Sequence, residues 1–301
     1  MQSTPLVLLF TLVLSLHRTC DGLSTLSPDL LPVATTSRSV FGNDQISFGL
    51  PNFASLPSFE SFRSGCVPLV CISNAVDANQ ILGWKQDALA LRSLAFGTTA
   101  GVATGQSGIR SGVHQVWLQS PGCPPLQNYL VGNIDARKDL VRFVDTLRLL
   151  LQQTDDERKH VRSLPSELIE LSYLLYDNHG AAYAKHVDSF ANDAGSDRTR
   201  KISFLLYLGD EQEELSWDCV RDGGALRIHG EAFAKATGQP VHTNGLGEYW
   251  SDITPYPGTM VLFDSSSVPH EVVATNRGRI CVVGWLGTYR GKENVPSAER
   301  R

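Results

Sequence analysis

The pattern of apolar and polar positions before residue 160 predicts helices around one short strand. Residues 67–72 (VPLVCI) form an apolar run that is typical of a buried strand. Asn74 predicts the start of a helix that runs to about Phe96, and the Gly-, Ser- and Thr-rich residues 97–112 predict a loop. A second helix is predicted from Asp135, with an apolar face spaced by three, four and seven residues: Leu140, Phe143, Val144, Leu147 and Leu150.

From about residue 168 the pattern changes to short apolar segments separated by turn signals. The predicted strands are ELIELSYLLY, AYAKHVD, KISFLLYLG, GALRIHG, TMVLFDS and ICVVGWLGTY. The segments between them, 192–200, 209–223 and 238–252, are rich in Gly, Asp and Asn and predict loops. Helices followed by many strands favour an α+β fold, in which a helical layer supports a β-sandwich or jelly roll.

The N-terminal residues predict a targeting segment. Residues 5–16 (PLVLLFTLVLSL) form an apolar run of 12, whereas a membrane-spanning helix needs about 20. The run fits the core of a secretory signal, and Cys20 and Gly22 suit cleavage after Gly22. No Lys or Arg precedes the run, and a buried strand or helix start is the alternative interpretation. We expect no stable membrane span.

Residues 23–65 are rich in Ser, Thr, Pro and Leu, poor in charge and without a regular period. This composition predicts a linker or pro-segment. Few acids and many hydroxyls also suit an organelle transit peptide. We therefore expect the secretory pathway or endoplasmic reticulum as the destination, or an organelle reached through a bipartite signal.

Composition excludes several classes of protein. The chain has 301 residues, of which 42% are hydrophobic and 19% charged, so it can bury a sizeable core. The formal net charge of −5 disfavours nucleic acid as the main partner, because no basic excess is present to offset phosphate. Six cysteines without CxxC spacing make a disulfide scaffold or a zinc site an unfavoured interpretation.

Two histidine–acid pairs could carry metal chemistry, His186 with Asp188 and His229 with Glu231. Eight histidines would give about one such pair by chance, so neither pair is informative alone. In a strand, however, residues i and i+2 share a face and can reach one metal. Two imidazoles and one carboxylate on one face of the metal form the facial triad of non-haem Fe(II) oxygenases.

A third ligand and an anion-binding residue lie further along the chain. His270, in VPHEV, follows the predicted strand TMVLFDS and could meet His186 from an adjacent strand of a jelly roll. Arg279 lies nine residues later, and its guanidinium could bind a carboxylate through two hydrogen bonds. Arg277 has the same strand parity, so the period alone does not choose between the two arginines.

The motifs carry a resemblance. From about Leu174 to Tyr289 the chain resembles the 2-oxoglutarate and Fe(II)-dependent dioxygenases of the prolyl 4-hydroxylase superfamily, most closely the egl-nine (hypoxia-inducible-factor) prolyl hydroxylases. The matching stretches are LLYDNHGAAYAKHVD, FLLYLGD, GGALRI and VPHEVVATNRGRICVVGW. Collagen-type members usually have Lys where this chain has Arg279. Residues 109–117 (IRSGVHQVW) also resemble the segment that precedes the family's core.

The resemblance implies residue roles. It implies His186, Asp188 and His270 as iron ligands, and Arg279 rather than Arg277 as the salt-bridge partner of the distal carboxylate of 2-oxoglutarate. The other implied pocket residues are Tyr207 and Tyr176 as hydrogen-bonding tyrosines, and Leu226 and Trp285 as apolar walls. His229 and Glu231 are interpreted as ordinary residues at a strand end, and His179 as a loop residue near the pocket.

The resemblance also implies fold and reaction. We expect an eight-stranded double-stranded β-helix (a jelly roll) that binds Fe(II), 2-oxoglutarate and L-ascorbate. With O₂ it would hydroxylate a prolyl residue of a protein or peptide and release succinate and CO₂. Alternatives are the same chemistry on a non-prolyl or small-molecule substrate, and a non-catalytic jelly-roll binding module; a cupin-type hydrolase or isomerase would prefer His-x-His, which the chain lacks. The expected organisation is 1–22 signal, 23–65 linker, 66–165 helical support, 166–290 dioxygenase domain and 291–301 tail.

Overall fold

The computed structural model describes residues 52–94, 96–100, 110–120, 125–126, 130–152, 168–189, 198–210 and 216–289. The predicted signal (1–22), most of the predicted linker and the predicted tail (291–301) lie outside these residues. The expected domain boundaries and localisation therefore stay predictions. In the described part of the chain, none of the helices combines the length and apolarity that crossing a membrane requires.

Most of the described helical residues lie in the first half of the chain, where they alternate with short strands. A 3₁₀ turn spans Asn52–Ser55, and the helices α1, α2 and α3 span Pro57–Arg63, Ala78–Ser93 and Ile134–Gln152. The turn and α1 lie within the predicted linker 23–65, so residues 52–63 form helical structure where the sequence indicated no regular period. Three phenylalanines anchor this segment in the core although it shows no regular period: Phe53, Phe59 and Phe62.

The start of α2 differs from the prediction. Asp77, not Asn74, is the N-cap, and its carboxylate accepts hydrogen bonds from the backbone of Asn79 and Gln80. The Gln80 side chain accepts in return from the Asp77 backbone, which completes a capping box. Helix α3 begins next to the predicted Asp135, where the Asn133 side chain accepts from the backbone N–H of Ala136. The predicted apolar face of α3 is buried.

The strands follow the predicted runs closely, and the predicted loops contain additional strands. In chain order they are β1 Leu69–Ile72, β2 Thr98–Ala100, β3 Arg110–Ser111, β4 Val113–Gln119, β5 Leu168–Tyr176, β6 Ala181–His186, β7 Arg198–Gly209, β8 Leu226–His229, β9 Val241–Thr243, β10 Tyr249–Ile253, β11 Met260–Asp264, β12 His270–Thr275 and β13 Arg279–Tyr289. A short helix, α4 (Glu231–Ala236), follows β8. The region expected to be a helical support therefore also contains β1–β4, and the predicted loop 238–252 contains β9 and most of β10.

The described strands form two antiparallel sheets. The major sheet has the order β1-β11-β7-β13-β5-β4-β2, and the minor sheet has the order β3-β6-β12-β8-β10-β9. The chain passes between the sheets as β5 to β6, β6 to β7, β7 to β8, β10 to β11, β11 to β12 and β12 to β13. These eight strands, β5–β8 and β10–β13, form the expected double-stranded β-helix, and the α+β jelly-roll prediction is confirmed.

The main core fills the space between the two sheets. Inward residues of β7, β8, β11 and β13 contribute to one apolar cluster, which includes Leu205, Ile228, Phe263 and Val283. Helix α2 packs on the major sheet and α3 packs on α2, where Trp84 contacts Phe143 with ring centroids 5.5 Å apart. The interior of the jelly roll is thus largely apolar, so a polar side chain buried inside it needs a hydrogen-bond or charge partner.

Candidate active site

Three metal-ligating side chains converge inside the jelly roll. His186 is the last residue of β6 and His270 the first residue of β12, and the two are direct partners in the antiparallel pairing. Asp188 follows β6 by two residues. One ligand atom from each of the three residues lies within 4.8 Å of the other two. The predicted set of two imidazoles and one carboxylate is therefore brought together.

Asp188 does not share a strand with His186, contrary to the prediction from strand alternation. Strand β6 ends at His186, so Asp188 is not a strand residue, and it does not reach the site through the alternation of one strand. Tertiary contacts hold it instead: the Ser203 hydroxyl donates to its Oδ2 at 2.6 Å, and the backbone N–H of Ser189 donates to the Ser265 carbonyl at 2.9 Å. The spacing His-x-Asp marks the site, but the position of Asp188 depends on contacts with residues distant in sequence.

The two imidazoles are oriented by backbone carbonyls. Nδ1 of His186 lies 2.7 Å from the Ala184 carbonyl oxygen, and Nδ1 of His270 lies 3.0 Å from that of Val268. A carbonyl only accepts, so in both rings Nδ1 carries the hydrogen and Nε2 offers a lone pair. Nε2 of His186 lies 3.4 Å from Oδ1 of Asp188, and Nε2 of His270 lies 3.9 Å from Oδ2. Both lone pairs are aimed toward the carboxylate, which is the arrangement that a shared cation requires.

Electrostatics favour the ligating forms of the buried groups. Burial by itself raises the pKa of Asp188, but the interactions with His186, His270 and the Ser203 hydroxyl outweigh it and hold this pKa well below its usual value. Burial lowers the pKa of His270. An ionised carboxylate and a neutral imidazole are the forms that bind a metal. Nε2 of His186 is buried without a hydrogen-bond partner among the described residues, which fits a cation there.

A second polar group lies in the same interior. Arg279, the first residue of β13, is 1% exposed, and its guanidinium carbon lies 4.3 Å from the ring centroid of Tyr176 and 5.3 Å from that of Tyr207. Nη1 donates to the Gly224 carbonyl oxygen. Within the described residues, Nε and Nη2 of Arg279 and the Tyr207 hydroxyl have no hydrogen-bond partner. A buried cation next to a buried hydroxyl, with free donors on both, is suited to bind an anion.

The remaining predicted pocket residues are buried in the apolar core between the two sheets. Leu226 and Trp285 both belong to the apolar core that contains Tyr176 and Tyr207. The Trp285 ring is covered by the Arg200 guanidinium at 3.9 Å and lies 6.0 Å from the ring of Trp117. The structure therefore groups these residues in one interior, while their roles toward a ligand stay predictions.

Arg277, the alternative candidate for binding a carboxylate ligand, is bound to carboxylates of the protein itself. Its Nε donates to Oδ2 of Asp210 at 2.6 Å, its Nη1 lies 3.3 Å from Oδ2 of Asp222, and its guanidinium carbon lies 4.8 Å from the Trp217 ring. Arg277 also precedes the start of β13, so strand parity does not apply to it. These contacts distinguish the two arginines, which the sequence period could not do.

Within the described residues, His229 and Glu231 have separate partners and are not brought together as metal ligands. His229 lies 3.3 Å from Glu271, and Glu231 pairs with Lys235 on α4 at 2.6 Å. His179 is exposed in the turn between β5 and β6. The interpretation of His229 and Glu231 as ordinary residues agrees with these contacts.

Sequence reasoning missed Ser203 and Ser265. Both are fully buried, and Ser203 contacts Asp188 directly. A signal was present for Ser203: it lies two and four residues before Leu205 and Tyr207, so it shares their inward face, where a polar residue needs a partner. No comparable signal marks Ser265, since it lies in a turn between two strands.

Comparisons with known proteins agree with this geometry. Residues 171–287 match the family model of the 2OG-Fe(II) oxygenase superfamily. No curated protein matches the chain by sequence.

Several solved structures share the fold at low identity. A Pseudomonas putida prolyl-4-hydroxylase is 22% identical with a TM-score of 0.53, and the alignment covers 78% of this chain and 99% of that one. A Trichoplax adhaerens prolyl hydroxylase, solved with a hypoxia inducible factor peptide fragment, is 19% identical with a TM-score of 0.52, covering 78% and 89%. The carbocyclase SnoK from nogalamycin biosynthesis, described as non-heme and alpha ketoglutarate dependent, is 12% identical with a TM-score of 0.51, covering 82% and 92%. Residues 171–287 are therefore similar to the 2OG-Fe(II) oxygenase superfamily, and the chain has the double-stranded β-helix fold of these solved structures.

Proposed function

We propose that this chain is an Fe(II)- and 2-oxoglutarate-dependent dioxygenase that hydroxylates prolyl residues of a protein or peptide. The observation that carries the proposal is one interior that holds both a His-Asp-His cluster and a buried arginine with free donors. A metal alone would not need the arginine, and an anion alone would not need the cluster. A cosubstrate with a metal-binding end and a distant carboxylate uses both.

Each polar group has a role in this proposal. His186, Asp188 and His270 hold Fe(II), and their hydrogen bonds to backbone and serine groups fix its position. Arg279 and Tyr207 bind the distal carboxylate of 2-oxoglutarate, whose burial would be costly without a cation and a hydroxyl donor. When bound, Fe(II) and 2-oxoglutarate supply the activation of O₂ that oxidises the substrate and releases succinate and CO₂.

The remaining residues shape the interior. The Tyr176 ring packs against the Arg279 guanidinium and holds its orientation, while Leu226 and Trp285 make the surrounding wall apolar. An apolar wall excludes water and strengthens the interaction between Arg279 and a carboxylate. We propose that L-ascorbate maintains the iron in its ferrous state.

The prolyl specificity is supported by structural neighbours that are themselves prolyl hydroxylases, one of them solved with a peptide. Arg279, where collagen-type members usually have Lys, leads us to propose the egl-nine type. The carbocyclase neighbour indicates that related folds carry other reactions, so the substrate has to be tested directly.

We propose that residues 1–22 direct the chain into the secretory pathway, or to an organelle as part of a bipartite signal. In this arrangement 23–65 connects the signal to the body of the protein, 66–165 supports the catalytic domain, and 166–290 is the dioxygenase domain. Expression of the full chain with a C-terminal fluorescent tag, compared with a chain that lacks 1–22, would test the localisation by microscopy.

The first experiment is an anaerobic titration of the full chain with Fe(II) and 2-oxoglutarate, monitored by the visible charge-transfer band of the chelated keto acid. We expect the band in the wild type and its loss in Asp188→Ala. The matched control is Asp252→Ala, since Asp252 pairs with Arg227 away from the cluster. Absence of the band in a folded wild-type chain would contradict the proposal and favour a non-catalytic binding module.

The second experiment identifies the substrate. The enzyme is incubated with proline-containing peptides, lysine-containing peptides and small molecules, and the products are analysed by mass spectrometry. Addition of one oxygen atom to proline, coupled to succinate formation, is the expected result. Oxygen on another side chain would keep the chemistry and replace the prolyl assignment.

A further inference from the structure

Two buried serines form a chain of hydrogen bonds that ends on Asp188. The hydroxyl oxygen of Ser203 lies 2.6 Å from Oδ2 of Asp188 and 2.8 Å from the hydroxyl oxygen of Ser265. Both serines are fully buried. Ser203 lies on β7, and Ser265 follows the end of β11, so two strands of the major sheet contribute to the chain.

The direction of both hydrogen bonds follows from chemistry. An ionised carboxylate only accepts, so the single hydrogen of the Ser203 hydroxyl points to Asp188. Ser203 then has only lone pairs to offer Ser265, and Ser265 has to be the donor between them. The order is therefore Ser265 to Ser203 to Asp188, and each bond polarises the next.

The backbone of Ser265 supports the same segment. Its carbonyl accepts from the N–H of Ser189, directly after Asp188, at 2.9 Å. Its own N–H donates to the Lys201 carbonyl on β7 at 3.0 Å. Ser265 thus connects the segment after β6 to the major sheet by two independent routes, the side-chain relay and the backbone.

The relay also distinguishes the two carboxylate oxygens. Oδ2 is occupied by Ser203, whereas Oδ1 lies 3.4 Å from Nε2 of His186. A carboxylate held by one oxygen cannot rotate freely about its side-chain bond, so Oδ1 is kept on the side of His186, while Nε2 of His270 lies 3.9 Å from Oδ2.

We propose that Ser203 and Ser265 are positioning residues: they act in series to hold Asp188 with Oδ1 toward the metal, and thereby set metal affinity. This inference rests on the proposed function, because it assumes that the cluster binds a divalent metal. Hydrogen-bond partners of metal ligands commonly contribute 10- to 100-fold in affinity.

The test is a Co(II) titration of the full-length chain, followed by the visible absorption of the bound ion. We expect Ser203→Ala to weaken Co(II) binding by about 10- to 100-fold. Ser203→Thr retains a hydroxyl and should restore most of the affinity. Ser265→Ala should weaken binding less, since the direct bond from Ser203 to Asp188 remains.

The double variant gives the sharpest readout. If the serines act in series, Ser265→Ala has no further effect on Co(II) affinity in the Ser203→Ala background. Additive losses would overturn the serial relay. Ser251→Ala is the matched control, because Ser251 is also fully buried and shares a 2.9 Å hydroxyl pair with Thr237, but does not contact the cluster. It should change thermal stability without changing Co(II) affinity.

The outcomes separate the two proposals. A folded wild-type chain that does not bind Co(II) would overturn the proposed function together with the inference. Wild-type binding with unchanged affinity in Ser203→Ala would overturn the inference alone. If circular dichroism shows that Ser203→Ala does not fold, the test is the Co(II) affinity of Ser265→Ala compared with that of Ser251→Ala. Equal affinities in these two variants would contradict the relay.

Discussion

Arg279 and Tyr176 are opposite each other in the paired strands β13 and β5, and the guanidinium carbon lies 4.3 Å from the tyrosine ring centroid. Tyr207, on β7 at the other side of β13, has its ring centroid 5.3 Å from the same carbon. The cation is therefore flanked by aromatic rings from two neighbouring strands. This packing fixes the plane of the guanidinium and leaves Nε and Nη2 as donors.

Arg279→Gln should weaken 2-oxoglutarate binding by roughly 30-fold or more, because removing one partner of a buried charged hydrogen bond costs about 2–5 kcal/mol. Arg279→Lys keeps the positive charge but loses the planar guanidinium with its two parallel donors. Its affinity for 2-oxoglutarate should therefore lie between those of the wild type and Arg279→Gln. The measurement is an anaerobic 2-oxoglutarate titration at saturating Fe(II).

The matched control for this prediction is Arg277→Gln. Arg277 is bound to Asp210 and faces Trp217, so its loss should lower thermal stability and leave the 2-oxoglutarate affinity unchanged. An equal or larger loss of affinity in Arg277→Gln would assign the carboxylate to the other arginine.

A buried ion pair should govern the stability of the helical layer. Arg137 on α3 donates to both oxygens of Asp87 on α2, at 2.7 and 3.0 Å, and both side chains are fully buried. Tyr173 on β5 also donates to Asp87 at 3.2 Å, which joins the pair to the major sheet. Arg137→Met should reduce the free energy of unfolding by about 3–5 kcal/mol, because it leaves a buried carboxylate without its cation.

Urea denaturation of the metal-free chain measures this loss, and Arg148→Met on the same helix is its control. Arg148 pairs with Asp145, which is 43% exposed, so this substitution should cost less than about 1 kcal/mol. Similar losses for the two variants would mean that the buried pair has no special role.

Gly284 allows close packing in the middle of the major sheet. A Cβ at this position would lie 2.5 Å from Cζ of Phe204 and 2.9 Å from the Glu170 carbonyl oxygen. Gly284→Ala should therefore destabilise the fold by about 1–3 kcal/mol through overpacking. Gly278→Ala is the control, because its Cβ would meet only the Tyr176 carbonyl oxygen at 3.4 Å. Thermal unfolding of both variants tests the difference, and equal midpoints would contradict it.

Acidification should destabilise the metal-free chain. Burial lowers the pKa of His270 and that of His229, so below their usual value of about 6.5 the unfolded chain binds protons more readily than the folded chain does. Their contribution to stability is complete above that value and is lost as the pH falls through the lower, folded-state values. Urea denaturation at pH 7.5 and 5.5 should show a decrease at the lower pH. His270→Asn should show a smaller decrease, and a decrease equal to the wild type's would exclude His270 as a source.

The amino-acid sequence was sufficient to predict the jelly roll and the residues of the His-Asp-His cluster. Strand alternation and turn residues are local properties, so β5, β7, β11 and β13 were predicted close to their observed bounds. His186, Asp188 and His270 were recognised from the spacing of two motifs and their resemblance to a family. These signals come from residues near each other in the chain, so they can be recognised without knowing how the chain packs.

Features that depend on contacts between residues distant in sequence could not be predicted and became visible only in the fold. Asp188 is held by Ser203 on β7, which in turn contacts Ser265 in the turn after β11, and not by strand alternation. Arg277 and Arg279 differ only through their partners, since one meets Asp210 and the other packs on Tyr176. Phe53 and Phe59 bury a segment whose composition is typical of a linker. In each case the stabilising contacts join residues that are distant in sequence. The periodicity of the local sequence therefore does not predict them.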